Sequence, residues 1–532
     1  MLTISNKRLL QLGLPLLICV LVLVLFIDKN HNLLNDRLVI GRTNDSLSLD
    51  PAITSDSESF QVTANIFETL VSLDKTGNNI SPGLAESWKV SEDGLTWQFK
   101  IRKNVKFHDG SKLDAHVVAF NFMRWMDPNS PYHTGEFIYY TYSFGGFPGI
   151  IKNVTALSDT TLEIILTEPY APFLNTISMP AFGIASQSAI VKYNDTMKVH
   201  PVGTGPFMFD SWQPNEKIIL KRFDHYWGSS AKVGILEFQV IPENSDKIAL
   251  LNNGDIHIID QLNVSEMDDV NDNDDLRLYF RPFFNIGYLA LNNSTQPFDD
   301  VRIRKAISLL IDKTILLDDS YNDLVRPANS FLPPVIDGYH EGLKSDAVDV
   351  EAAKALLSEA GYPEGFDVSL WVMDRPRNYL PKPIAMASSI KNQLEAAGIK
   401  VIIEVIPWDS YIEDVKLGNH QMALVGWNGD IVDPDNFLYT LFASEPVKPE
   451  LNFNYAFYKN EQVERLLSQA RRVTDNGFRI NLYREMQEII ANDVASIPLI
   501  HTMTAIGTRT DVMGFEPHIT GFGTLAEVSI KP

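Results

Sequence analysis

Apolar and polar positions alternate along Thr96-Trp97-Gln98-Phe99-Lys100-Ile101, the period-two pattern of a half-buried strand. The Ser91-Glu92-Asp93-Gly94 stretch before it is turn chemistry. Residues 161–166 read as a second strand. Elsewhere the period lengthens. Val301, Ala306, Ile307, Leu309 and Leu310 recur at helical spacing over residues 301–311. Residues 349–360 place Ala353, Leu356, Leu357 and Ala360 on one helical face, with Gly361 as the stop and Pro363 just beyond. Residues 387–397 repeat that pattern up to Gly398, and the β-branched run 401–406 then predicts a buried strand. Strand–helix alternation of this kind predicts an α/β protein with partly parallel sheets.

The first residues fit neither pattern. Lys7 and Arg8 precede residues 9–27, which carry no charge. An apolar stretch of about nineteen residues is nearly enough to span a bilayer as a helix, and basic residues before it favour export of the chain beyond it. A secretory signal has a shorter apolar region and a small-residue cleavage site. Here the stretch ends Leu25-Phe26-Ile27-Asp28-Lys29, with no such site. An uncleaved anchor is the expectation, ahead of a cleaved signal. A lipoprotein anchor at Cys19 is disfavoured because Ile18 is not small and Cys19 lies inside the apolar run.

Composition narrows the function. The 532 residues suffice for about two to four domains. Hydrophobic residues at 45% and charged residues at 21% are an ordinary globular balance. The formal charge of −22 disfavours gripping nucleic acid. One cysteine excludes an internal disulfide framework and cysteine-rich metal sites. With Cys19 in the anchor, the exported body has no thiol, which suits an oxidising compartment. The acidic run at residues 268–275 lacks the turn glycine and closing glutamate of a calcium loop and reads as solvated surface. No G-x-S-x-G elbow, phosphate loop or H-E-x-x-H motif occurs. Gly203-Thr204-Gly205-Pro206 starts like a dinucleotide fingerprint but puts proline where a helix should open, and His108-Asp109-Gly110 reads as a turn. Nothing calls for an enzyme, a cofactor or a metal.

Many segments, in order from about residue 38 to the C terminus, resemble one family. They include Ser48-Leu49-Asp50-Pro51-Ala52, Asn65-Ile66-Phe67-Glu68-Thr69-Leu70-Val71, Pro82-Gly83-Leu84-Ala85-Glu86-Ser87-Trp88, Pro201-Val202-Gly203-Thr204-Gly205-Pro206-Phe207, Tyr226-Trp227-Gly228, Gly287-Tyr288-Leu289-Ala290-Leu291-Asn292 and Pro297-Phe298-Asp299-Asp300-Val301-Arg302. The family is the family 5 solute-binding proteins of bacterial ABC importers, the dipeptide/oligopeptide-binding group. The resemblance implies an α/β, type II periplasmic-binding-protein-like fold (cluster C) of two lobes that close on a solute. Carried over, residues 1–36 are the signal or anchor and its linker. Residues 37–67, 205–282 and 505–532 form the first lobe, and residues 68–204 an extra inserted domain. Residues 283–504 form the second lobe with the ligand-reading loop. Two crossing strands make the hinge, near residues 281–287 and 501–506. Clefts between lobes are where such architectures bind ligands.

Gly426-Trp427-Asn428-Gly429-Asp430, followed by Asp433-Pro434-Asp435-Asn436-Phe437, resembles the family's cleft loop after a strand. The resemblance gives Asp430 to a peptide's α-ammonium, beside Trp427, with Gly426 and Asn428 in the same segment. Enclosing an ammonium without an opposite charge is costly, and Trp427 offers an apolar wall with a cation–π face. The competing reading of Asp430 is a turn-capping aspartate. Asp433 and Asp435 are read as structural. Arg375-Pro376-Arg377-Asn378 resembles the family's Arg-Pro-x-Asn segment before a helix, whose arginine meets the ligand carboxylate. The segment through Tyr379-Leu380-Pro381 runs about two residues longer than the family pattern, so Arg375, Arg377 or neither takes that role. Asp45 and Leu47, in the loop after the first strand, correspond to where longer-peptide binders meet the ligand backbone.

The resemblance therefore implies a monomeric extracytoplasmic receptor that binds a short peptide or other amine-bearing solute. It would hand that solute to ABC permease and ATPase subunits, from the periplasm or the outer face of the cytoplasmic membrane, joined to the membrane through the N-terminal helix. The alternatives are another solute on the same fold (a nickel chelate, haem, an opine or a sugar), a membrane-tethered sensor, or a hydrolase.

Overall fold

The computed structural model describes residues 36–77, 79–263, 266–317, 324–444, 446 and 451–531. The apolar segment, Cys19 and the expected anchor lie outside the described residues.

Three sheets organise the chain. The first has seven strands in the order Leu276–Arg281, Thr504–Arg509, Ile258–Leu262, Arg37–Arg42, Ile235–Val240, Lys217–Arg222 and Phe207–Gln213. Arg37–Arg42 runs parallel to both of its neighbours, and the remaining pairs are antiparallel. The second has six strands in the order Val325–Pro327, Ser496–Thr502, Asn285–Leu291, Met422–Asn428, Asp367–Met373 and Lys400–Ile406. Its parallel pairs are those made by Asp367–Met373. The third is a four-stranded antiparallel sheet of Ala85–Val90, Thr96–Ile101, Thr161–Leu166 and Ile151–Ser158. It has its own aromatic-rich core around Phe99, Phe122, Trp125, Phe144 and Phe173.

Local sequence explains most of these elements. Asn285–Leu291 is buried at every position, as a central strand covered on both faces must be. The helix Val350–Glu359 starts where Asp349 accepts from the Ala352 N–H, and it buries Ala353 and Leu357. Two expectations need correction. The helix expected over residues 387–397 begins at Pro383, whose ring is tolerated in a first helical turn, and ends at Glu395. The strand Lys400–Ile406 is not buried. It is the sheet's edge, with Ile402 and Val405 half-exposed and Val401 the fully buried residue among the seven. Its β-branched composition reports strand propensity, which does not distinguish an edge from a centre.

The first and second sheets are joined where the hinge was expected. The chain leaves Leu276–Arg281 in the first sheet, crosses over Pro282-Phe283-Phe284, and enters Asn285–Leu291 in the second. It leaves Ser496–Thr502 in the second sheet and re-enters the first one residue later at Thr504–Arg509. The crossings are tied side by side. Asn285 Oδ1 accepts from the Thr502 N–H at 2.9 Å, and Asn285 Nδ2 donates to Thr502 Oγ1 at 2.9 Å.

Candidate functional site

The strand Met422–Asn428 pairs antiparallel with Asn285–Leu291, so that Gly426 faces Gly287 and Asn428 faces Asn285 at the hinge. The strand extends into the segment that was read as loop. Gly426, Trp427 and Asn428 are strand residues, and the loop begins at Gly429. Both glycines are required by close approach. A Cβ on Gly426 would stand 2.2 Å from the Tyr379 ring, and one on Gly429 2.4 Å from the Phe284 ring.

Asn436, in the first turn of the helix Asp435–Phe442, fixes the loop. Its Oδ1 accepts from the Asp430 N–H at 2.9 Å and from Trp427 Nε1 at 3.2 Å. Tyr139, from the short helix Ile138–Phe144 of the 68–204 segment, donates its hydroxyl to Asp430 Oδ1 at 3.2 Å. Asp430 is thus largely enclosed, and enclosure pushes its carboxyl up to about 7. The Tyr139 and Asn436 hydrogen bonds pull the other way without overcoming it. Enclosure, reinforced by Asp430, raises Tyr139 well above its ordinary range, so it remains a donor.

Among the described residues no salt bridge reaches Asp430. The two arginines of this neighbourhood belong to its neighbours in sequence. Arg479 grips both oxygens of buried Asp433 at 2.9 and 2.6 Å, and Arg471 Nε stands 3.4 Å from Asp435 Oδ1. Asp433 and Asp435, read as structural, each meet an arginine of the fold.

Asp430 lines a cavity of about 590 Å³ whose other walls come from segments around the first sheet and from residues 68–204, including Gln61, Glu68, Asp260, Arg281 and His518. It also lines a smaller one of about 60 Å³ at the hinge, with Asn285, Asn378 and Asn428. Asp430 and Asn428 therefore meet at the cavity walls. Trp427 stands behind them, half-buried and edge-on to Phe453 at 5.1 Å.

The other expected residues lie elsewhere. Arg375 is exposed and paired with Asp374 at 3.2 Å and Asp409 at 3.7 Å. Arg377 lies over the Trp408 ring at 4.0 Å. Neither lines a cavity that holds Asp430. Asp45 is already engaged within the fold, accepting from Arg42 at 3.0 Å, Trp212 Nε1 at 2.9 Å and the Asn215 N–H at 2.8 Å. Leu47 is 73% exposed, with its N–H on Ser59 Oγ. Tyr139, Arg281, Asp260 and Gln61 carry no signal in the sequence, because only the fold brings them to Asp430. Among the described residues no cluster of histidine, cysteine or carboxylate side chains is placed to hold a metal ion.

Residues 79–449 match the family described as bacterial extracellular solute-binding proteins, family 5. The dipeptide-binding protein of Escherichia coli strain K12 is 32% identical over 88% of this chain and 89% of its own length. Heme-binding protein A of Haemophilus influenzae is 30% identical over 93% and 92%. Among solved structures, an ABC transporter-associated periplasmic binding protein of Helicobacter pylori in complex with the peptide STSA superposes with a TM-score of 0.82. It is 32% identical and covers 93% of this chain and 98% of its own.

Proposed function

The chain belongs to the family 5 bacterial extracellular solute-binding proteins and has their two-lobed type II periplasmic-binding-protein fold, and on that premise we propose that it captures short peptides by their free amino terminus for an ABC permease. The family is one of periplasmic receptors rather than enzymes. In our reading the solute enters between the lobes and its α-ammonium docks on Asp430. Trp427, fixed through Asn436, backs the loop, while Gly426 and Asn428 shape the approach. Peptide-named relatives across the chain's length support the solute class.

The observation that carries this reading is Asp430 itself. An enclosed carboxylate without a cation is unfavourable in the empty protein, and an incoming ammonium relieves that cost. Calorimetry with Ala-Ala and N-acetyl-Ala-Ala tests it. Acetylation removes the ammonium and is expected to abolish measurable binding. Equal affinity for the two overturns the proposal, as does recovery of haem, a sugar or a metal chelate as the solute that co-purifies. Anchoring of the body to the outer face of the membrane by residues 9–27 belongs to the same proposal, and N-terminal analysis of the native protein tests it.

A further inference from the structure

We infer that Arg281 receives the carboxylate of the solute whose ammonium is held at Asp430, so that one zwitterion bridges the two lobes. This rests on the peptide reading above and adds the group at the other end.

Arg281 is the last residue of Leu276–Arg281, immediately before the chain crosses to the second lobe. It is on the walls of both cavities that hold Asp430. The guanidinium is held from behind: Nη2 donates to Asp260 Oδ1 at 2.6 Å, and the other Asp260 oxygen accepts from Gln61 Nε2. Asp260 thus fixes Arg281 with its own lone pairs already engaged. Nε is buried and finds no acceptor among the described residues, and Nη1 makes no hydrogen bond among them. Gly521 lies over the group, and a Cβ there would stand 3.3 Å from Cζ. A residue with a side chain at 521 would crowd the guanidinium.

The side chain is 13% exposed, so it is oriented but not sealed. The other lysine or arginine on the large cavity's wall, Lys75, is 44% exposed and paired with Glu516 at 3.0 Å. A planar fork with free N–H groups matches a carboxylate in a way a mobile ammonium does not. The placement also links binding to closure. Asp430 is carried by the second lobe and Arg281 by the first, so a solute that satisfies both holds the lobes together.

Calorimetry of the whole chain with Ala-Ala and with its C-terminal amide decides the matter. In the wild type, amidation is expected to weaken binding about 30-fold or more. In Arg281→Gln, Ala-Ala itself should bind that much more weakly, and amidation should cost nothing further. The double variant Asp260→Asn/Arg281→Gln leaves no charge unpaired, so it guards against a folding defect, and the same loss of discrimination is expected there. An amidation penalty that survives in both variants overturns the assignment, as does its disappearance in Arg375→Gln. Asp430→Asn separates the two readings. Weak Ala-Ala binding in that variant with a surviving amidation penalty in Arg281→Gln sinks Arg281 alone. Undiminished binding in Asp430→Asn sinks the peptide reading and this one with it.

Discussion

Asp430 and Asp433 sit three positions apart in the chain, and their carboxylates stand under opposite conditions. Asp433 is buried, and each of its oxygens meets Arg479, with the Asp435 N–H at 2.9 Å and Asn175 Nδ2 at 3.3 Å as further donors. Asp430, on the other arm of the same loop, receives hydrogen bonds from a phenol and an amide but, among the described residues, no cation. One arm is electrostatically complete in the folded chain. The other is complete only when a cation arrives from outside. Burial alone therefore does not mark a functional carboxylate. The informative property is burial combined with missing compensation, beside open volume.

The largest expected effect tests the completed arm. Arg479→Ala strands Asp433 without its partner, and breaking a buried pair from one side costs about 3–5 kcal/mol of stability. Denaturant unfolding reads it directly, and an unchanged midpoint would break the comparison at its structural end. The incomplete arm should behave in reverse. Asp430→Ala should weaken Ala-Ala binding by roughly 2–5 kcal/mol, while the empty protein becomes no less stable. The linkage sign supports the second half. The folded state holds a proton at Asp430 up to about pH 7, whereas an unfolded aspartate loses it near about pH 3.9. Stability therefore falls as pH rises through that window. The variant should lose this slope, and thermal unfolding of the empty protein at pH 5 and pH 7 would show whether it does.

The two arms also differ in how legible they were. The loop reads through the family resemblance because its glycines, Trp427 and Asp430 form one contiguous segment, and the hinge reads through the same resemblance by way of the motif at residue 287. Asp433 was read as structural, although its partner Arg479, 46 residues away, had no signal in the sequence. The carboxylate end that we propose has no motif of its own in the sequence. Arg375 has the right chemistry in a family-like segment, but its place just past a strand end leaves it beside Asp374 and Asp409. Arg281 carries no motif, and its relation to Asp430 exists only because the chain crosses between sheets directly after it. The edge position of Lys400–Ile406 was missed for the same kind of reason, since strand order is a tertiary property.

Asn436 couples the arms, and its removal sharpens the contrast at a middle magnitude. Its Oδ1 serves the Asp430 N–H and the Trp427 indole together. Asn436→Ala leaves both donors without it at a largely enclosed site, for which about 1–3 kcal/mol is the ordinary cost. The loss should appear in peptide affinity as well as in stability, because the freed loop no longer presents Asp430 in one place. A loss confined to stability would mean that Asp430 is positioned by its strand alone.

The smallest expected effect concerns Tyr139, and it tests whether Asp430 titrates in the range that its surroundings dictate. Below about pH 7 the empty site holds a proton that an incoming ammonium must displace, so affinity should fall up to tenfold for each pH unit of acidification. Above about pH 8 the peptide's own amine begins to lose its charge. Affinity should therefore peak between these limits. The Tyr139 hydroxyl favours the ionised carboxylate. Tyr139→Phe removes that donor while keeping the ring, which should move the acid limb of the profile to higher pH. At pH 7 the loss should be about 0.5–1.5 kcal/mol, the net worth of one hydrogen bond. By about pH 9, where Asp430 is ionised with or without the donor, the two proteins should converge. A uniform loss at every pH would mean instead that Tyr139 acts by packing against the solute, and an acid limb that does not move would separate Asp430 from the titration.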